Sequence, residues 1–568
     1  MSAKSANRRI RLLLGVFVLA FALTFMRAAW LQGVRASSFG RLASSQQSED
    51  VVIPAARGTI YDRGGVQLAI GEQAQTVYAD PRQVKDAQRE ALVIARTLHL
   101  DPATVYHSLS DRTRGFVYVA RKADPRLVAK LRRQGLPGIN SYGEERRFYP
   151  QFSLASQVLG YAGVDNRGLA GLELSLDREL AGRPGRERIV KDASGQAIDT
   201  VVSQTVRDGR DVYLTLDHTI QANAQAVLRD TVLRWHAKSA SAVVLDPTTG
   251  AVRAMAIAPG FDANVYPEVW RVLQRNRAVT DTYEPGSTFK VVTVAGALSE
   301  GLVNPNTRFT LPYEIQVADR RIHDAEPRGT ETMSVSEILS RSSNVGAITL
   351  AERLTRHQLV HWISRFGFGQ PTGIDFPGES EGIVLPEDKW SGSSIGNIPI
   401  GQGIAVTPIQ MASAYAAIAN RGVWVRPHLV DHVGDGDVAR PAHRRIVSGW
   451  VAREIMAMLK NVVAEGTGTL AVVPGYQVAG KTGTAAKPDA HGGYSDSRYV
   501  ASFVGAVPAS RPRLVILVSV DEPRGAIWGG VVAAPAFAQI AKFDMQYLDG
   551  GVPPDAPTTT TATPAYTP

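Results

Sequence analysis

The sequence predicts an α+β protein carried on one N-terminal membrane helix, with an extended α/β front module ahead of a larger α+β domain. Three observations predict it. A charge-free run from Leu12 to Met26 stands behind a basic leader. Apolar runs are joined by turn residues at Asp62-Arg63-Gly64-Gly65 and again at Asp246-Pro247-Thr248-Thr249-Gly250, both hairpin signals. Long helical patterns then separate the second hairpin from three strand-like runs near the C-terminal end, so that sheet must assemble from sequence-distant pieces.

The totals set the limits. A chain of 568 residues has room for two to four domains, and 44% hydrophobic with 20% charged residues provides ample core. Cysteine is absent, which excludes disulfides, thiolate metal sites and cysteine nucleophiles. The formal charge of +9 favours acidic surroundings such as an anionic membrane face. Lysine and arginine are spread along the chain, with no basic helix, zinc-finger spacing or aromatic-studded basic strand. Nucleic acid is therefore not an expected partner.

Lys4, Arg8, Arg9 and Arg11 precede the apolar run, which spans about 22 Å as a helix. Arg11 and Arg27 can snorkel, and Ala28 to Leu31 extend the helix to an interfacial Trp30. The basic leader predicts a cytoplasmic arm, residues 1–11, a single-pass anchor in the inner (plasma) membrane, residues 12–31, and export of the remaining chain. A signal peptide shares this run length, but no Ala-x-Ala cleavage pattern comes after it, which favours an uncleaved anchor.

Residues 32–234 read as the front module. Ser37 to Asp50 is a polar stalk, Asp62 to Gly65 turns a hairpin, and Asp80 to Lys130 alternates helical patterns with polar breaks. Gly182 to Asp211 is charged and irregular, and a helical run extends from Ile220 to His236. Residues 235–549 form the second domain. It opens on the Asp246–Gly250 hairpin, is dominated by helical patterns from Ser287 to Arg365, and is loop-rich from Gly367 to Gly403. Pro408 starts another helix, YQVAGKTGT, RYVASFVGAV and RLVILVSVDEP supply strands, and Ala534 to Leu548 closes the domain as a helix. The Pro- and Thr-rich residues 550–568 read as a disordered tail.

Chemistry concentrates in three short stretches. Pro285 and Gly286 break the chain, and from Ser287 an apolar run closes on Gly301, so Ser287 should open a buried helix with Lys290 one turn on. A serine needs a neighbouring base to become a nucleophile, and a lysine desolvated in an apolar helix can be neutral enough to serve. Ser342-Ser343-Asn344 lies between helical runs, offering a hydroxyl and an amide to one cleft. Lys481-Thr482-Gly483-Thr484 sits on a strand pattern, offering a cation, two hydroxyls and close backbone approach. Alone, Ser287 also reads as a cap and Lys290 as a solvated charge, and Ser342 to Asn344 as a helix cap. Together, in this order and within one domain, the three motifs form a specific signature.

On these motifs the chain resembles the penicillin-binding proteins, the serine D,D-transpeptidases of bacterial wall synthesis. RGTIYDRGG (57–65), GLEL (171–174) and LTLD with Ile220-Gln221 resemble boxes of the class B non-catalytic module. RNRAVTDTYEPGSTFK, GQGIAVTPIQMASAYAAIAN and DEPRGAIWGGVVAAPAF resemble boxes of the transpeptidase domain. YADP (78–81) and TDTYEPGSTFK are most similar to the division-specific, septal members rather than the elongation-specific ones. The resemblance implies an antiparallel sheet flanked by helices and a non-catalytic pedestal or dimerisation module.

It also implies roles for the site residues. Ser287 would attack the penultimate D-Ala of a stem peptide, with Lys290 as general base, Ser342 as proton relay and Lys481 tuning the potential. Asn344 would hold the donor stem, while Lys481, Thr482, Gly483 and Thr484 would line the carboxylate site. The backbone N–H groups of Ser287 and Thr484 would form the oxyanion hole. Peptidoglycan stem peptides and β-lactams are the implied ligands. A polytopic glycan polymerase and other division proteins are the implied partners, reached through the anchor and residues 57–173.

Rival readings stay open at this point: a D,D-carboxypeptidase, an elongation-specific enzyme, or a penicillin-binding scaffold without turnover. A β-lactamase lacks its deacylating signature here, and a bifunctional class A enzyme would need an acidic glycosyltransferase signature. Gly475 to Thr482 fits the P-loop spacing but lacks the helix that should come next. His357 and His361 share i, i+4 spacing, but Gln358 stands where a metalloprotease has glutamate. No metal or organic cofactor is expected.

Overall fold

The computed structural model describes residues 3–34, 48–191, 197–438, 440–489 and 491–550. The stalk and tail expected from the sequence lie largely outside these residues. The described residues fall into two compact units. The first holds α1 (Ala3–Ala29) and a three-stranded antiparallel sheet of β1 (Ser48–Ile53), β6 (Gly185–Lys191) and β7 (Ala197–Gln204), in that order. The apolar helical stretch Asn7–Gly33 has a mean hydropathy of 2.2, enough to cross a membrane. The charged stretch expected to be irregular is thus partly a hairpin. Ile189, Val190, Ile198, Thr200, Val201 and Val202 carry β propensity that outweighs its charge.

The second unit holds everything else that bears on function. Its front half is a six-stranded sheet. β2 (Ile60–Tyr61) and β3 (Gln67–Ala79) form the expected hairpin around Asp62, and β4 (Val117–Ala123) and β5 (Ile139–Phe148) flank the far half of β3. β8 (Val212–Leu214) pairs with β2 and carries the sheet on to β15 (Val430–Val433), so front-module strands and the later domain share one sheet.

A buried ion network locks this half. Arg57 contacts Glu173 and Asp177 at 2.6 Å each, and Arg147 meets Glu173 at 2.6 Å, with Glu173 fully buried. Removing one partner strands a buried charge, which costs about 3–5 kcal/mol. Arg57→Met is therefore expected to lower unfolding stability by about that amount, read by denaturant melts, without moving Ser287, Lys290 or Lys481.

The later domain is built on a second sheet, all antiparallel. Its order is β10 (Val252–Ala258), β9 (Ser239–Leu245), β18 (Leu514–Asp521), β17 (Tyr494–Val507) and β16 (Ala479–Pro488). Alternation along each strand sends Val244, Phe503 and Val518 to one face and Val243, Val504 and Leu517 to the other, and both faces are buried. That is why these strands read as nearly unbroken apolar runs. On the first face pack α2 (His218–Arg234) and α8 (Ala534–Asp549). On the second lie α3 (Lys290–Ser299), α6 (Pro408–Ala419) and α7 (Gly449–Ala464).

Two expectations change here. Helix α2, placed before a boundary at 234/235, buries Ile220, Ala224 and Leu228 against the second sheet, so the packed body begins before residue 218. The stretch after α3 is not helical throughout. β11 (Arg308–Leu311) pairs with β14 (Glu331–Ser334), and β12 (Glu314–Val317) pairs with β13 (Arg320–His323). Phe309 and Leu311 are buried between exposed Arg308 and Thr310, a period-two pattern that Pro305 and Pro312 bound. Helices α4 (Val335–Ser340) and α5 (Asn344–Arg353) come next.

Candidate active site

Ser287 does not open the α-helix. It lies in a 3₁₀ turn, Gly286–Phe289, and α3 begins at Lys290. Neither start has a side-chain cap bond, so Ser287 is not spent as a cap. Gly286 has φ 54°, and a Cβ there would sit 2.6 Å from the Thr484 carbonyl oxygen. Glycine is therefore required where the serine turn crosses β16. Gly483 answers from the strand side: a Cβ there would meet Ser502 Oγ and lie 2.8 Å from the Pro285 oxygen. Thr288 Oγ1 donates to the Pro285 oxygen at 2.8 Å, and Tyr415 on α6 donates to the Thr288 oxygen at 2.8 Å.

In the second motif the capping role falls on Ser343 alone. Its Oγ accepts from Gly346 N at 2.9 Å at the start of α5. Ser342 adopts φ 60°, an uncommon backbone for a serine. That twist leaves its hydroxyl between two lysines. Lys481 Nζ donates to Ser342 Oγ at 2.9 Å, and Lys290 Nζ donates to it at 3.3 Å. Lys290 also donates to the Ser342 carbonyl at 2.6 Å and to Asn344 Oδ1 at 2.7 Å. Asn344 Nδ2 donates to the His323 oxygen at 2.9 Å, which fixes how the amide faces. Ser342 Oγ thus accepts twice, and its own proton stays available to a third group.

Lys290 is 1% exposed and Lys481 is 0% exposed. Burial pulls the Lys290 amine down to about 7, partly opposed by the nearby Asp324 carboxylate. Lys481 is held well below the ordinary lysine range, by burial first and by the Lys290 charge second. The site therefore holds two amines that give up protons readily, bridged by one hydroxyl, beside a half-buried serine. Such an arrangement can activate a hydroxyl nucleophile and return its proton to a leaving group.

The structure brings all eight expected residues to one place. Ser287 and Lys290 share a turn, Ser342 and Asn344 flank the Ser343 cap, and Lys481 to Thr484 lie on the edge strand β16. The Thr482 hydroxyl faces inward, 3.2 Å from Lys481 Nζ and 2.7 Å from Thr467 Oγ1, while Thr484 Oγ1 accepts from Gly529 N at 3.0 Å. Sequence reasoning missed Asp324, Arg328 and Thr467. Asp324 and Arg328 lie in the loop after β13 and Thr467 in the turn after α7, with no periodic pattern to mark them. The P-loop spacing dissolves, because Lys481 and Thr482 are mid-strand rather than before a helix. His357 is exposed and lies 3.2 Å from Glu387.

Comparison with known proteins gives the family. Residues 240–542 match the family described as the penicillin binding protein transpeptidase domain, and residues 52–214 match the penicillin-binding protein dimerisation domain. Stage V sporulation protein D of Bacillus subtilis is 34% identical, over 98% of this chain and 88% of its own length. Peptidoglycan D,D-transpeptidase FtsI of Escherichia coli is 33% identical, over 97% of this chain and 93% of its own. Among solved structures, penicillin binding protein 3 of Mycobacterium tuberculosis complexed with aztreonam superposes with a TM-score of 0.71 at 33% identity, covering 90% of this chain and 100% of that one. A serine turn, a hydroxyl between two buried lysines and an edge strand are thus found in a chain similar over nearly its whole length to a peptidoglycan D,D-transpeptidase and to penicillin-binding proteins, and it belongs to the class B penicillin-binding proteins, as a serine-type peptidoglycan D,D-transpeptidase.

Proposed function

We propose that this transpeptidase works through an acyl-enzyme on Ser287 and serves septal wall synthesis during cell division. The observation that carries the mechanism is the Ser342 hydroxyl, held at 2.9 Å by Lys481 and 3.3 Å by Lys290 beside the serine turn. Lys290 takes the Ser287 proton as the hydroxyl attacks the carbonyl between two D-Ala residues. Ser342 passes that proton to the departing D-Ala amine, with Lys481 setting the potential around it. The acyl group then moves to the amine of a second stem, which forms the cross-link. Asn344 holds the donor stem, and Lys481, Thr482 and Thr484 hold its carboxylate. The serine turn crosses β16 at Thr484, and the backbone N–H groups of Ser287 and Thr484 serve as oxyanion donors, each contributing about 3 kcal/mol. β-Lactams acylate the same oxygen.

The septal assignment rests on YADP and TDTYEPGSTFK, and a polytopic glycan polymerase and other division proteins are the partners it implies. The basic arm keeps residues 1–11 inside, residues 12–31 cross the membrane, and the catalytic domain works outside. The test is product analysis with a pentapeptide donor and an amine acceptor, together with depletion in cells. Cross-linked dimers and filamentous, undivided cells are expected. Trimmed tetrapeptide alone would make the enzyme a carboxypeptidase, and rounded cells or a defect confined to sporulation would move it out of the septum.

A further inference from the structure

We propose that the buried Asp324–Arg328 ion pair is the positioning element of this site, fixing Ser342 and Asn344 in place and setting the electrostatic field at Lys290. The inference rests on Lys290 acting as the base. Asp324 lies in the loop after β13, outside all three motifs, and is 6% exposed. Its carboxylate collects the serine–asparagine segment from below. Ser343 Oγ donates to both oxygens at 3.0 Å, and the backbone N–H groups of Asn344 and Val345 donate to Oδ1 at 2.5 and 3.0 Å. These two N–H groups open α5, so the carboxylate also complements the positive end of that helix.

Arg328 closes the clamp from the other side. Its Nε and Nη2 reach Asp324 Oδ2 at 2.9 and 2.6 Å, and its Nη1 donates to the Leu311 oxygen at 2.8 Å. The pair thus ties the end of β11 and the loop after β13 to the start of α5. A φ of 60° at Ser342 persists only where the surroundings over-determine it. Two anchors do so: Asp324 holds the residues just after Ser342, and Lys290 holds its carbonyl at 2.6 Å.

The same pair acts on Lys290 through its charge. Asp324 is the acidic group that opposes the effect of burial on that amine. The other groups facing Lys290 are Lys481 from β16 and the uncharged Ser342 and Asn344 from the α4–α5 connection. His323 is next to Asp324, with its ring Nδ1 2.7 Å from the Asp324 carbonyl oxygen and 3.2 Å from Tyr313 OH. Removing the Asp324 charge makes the Lys290 amine easier to neutralise, whereas removing Arg328 leaves the carboxylate uncompensated and makes it harder. The two substitutions must therefore act in opposite directions, which a purely structural role would not produce.

The test is the pH dependence of the second-order rate constant for penicillin acylation of the full chain in detergent. Asp324→Asn should move the midpoint of the acid limb down by about one pH unit and lower the plateau about ten- to hundredfold. Arg328→Met should move the midpoint up. Asp324→Glu, which keeps the charge at a different reach, should lower the plateau and leave the midpoint in place. The shift should persist in a His323→Asn background, and its disappearance there would assign it to the imidazole and overturn the inference. So would curves that superimpose on wild type once plateaus are scaled, or that move the same way in both variants. Should Asp324→Asn fail to fold, the Arg328→Met midpoint decides, and an unmoved limb refutes the inference. If wild type acylates Ser287 normally while the variants show no shift, only this inference falls. If wild type carries no adduct on Ser287, the acyl-enzyme reading itself falls.

Discussion

Replacing Ser287 by alanine is expected to abolish the covalent penicillin adduct, seen as a mass increment on the intact wild-type protein and none on the variant. The loss should be about 10⁶-fold in acylation rate, the scale at which a serine enzyme loses its nucleophile. The residue is half-buried in a turn that caps nothing, so alanine removes one oxygen and leaves the packing of Thr288 and Phe289 intact. Thermal unfolding should accordingly match wild type. An adduct of equal size on Ser287→Ala would place the nucleophile elsewhere, and the role given to Lys290 would go with it.

The second large effect is expected at Lys290. Lys290→Met keeps the length and apolar stem of the side chain and deletes the amine, so acylation should fall about 10²–10⁴-fold, the range general-base catalysis contributes. The pH profile carries the sign. Lysine serves as a base only when neutral, and burial places its titration at about 7, so the wild-type rate should climb as pH rises through that value. In Lys290→Met that limb should vanish, leaving a low rate without an inflection near 7. The fold should survive. The substitution removes a buried charge at the cost of leaving the Ser342 carbonyl and Asn344 Oδ1 without their donor, a loss of about 1–3 kcal/mol. A variant that keeps its acid limb would show that another group, with Lys481 the nearest candidate, supplies the base.

Much of this protein was legible in the residues themselves. The hairpin at Asp62, the strands at both ends of the catalytic sheet and the closing helix Ala534–Asp549 follow from periodicity and turn chemistry, which act between neighbours in the chain. The apolar N-terminal helix, long enough to cross a membrane, follows from hydropathy. The three motifs pointed to candidate reacting groups, because a serine nucleophile needs a neighbouring base and Lys290 stands three residues on from Ser287. Local pattern misled where packing intervened. Helix α2 looks like the end of one module, yet its apolar face fits only the second sheet. The strands between Arg308 and Ser334 alternate visibly but are short, and the helical texture on either side obscured them.

What the sequence determined, then, was the order and spacing of the three motifs, with Ser287, Lys290, Ser342, Asn344 and Lys481 as candidate reacting groups, and the apolar helix Asn7–Gly33 ahead of them. Tertiary structure alone decided their relation. It set Ser342 at φ 60° so that one hydroxyl lies between two amines, buried both lysines so that their amines give up protons more readily than exposed ones, and brought the Asp324–Arg328 pair beneath the asparagine helix. The reason is range. Periodicity and caps are read over a few residues, whereas desolvation and the field of a buried carboxylate depend on what the folded chain places nearby, across separations no linear pattern encodes.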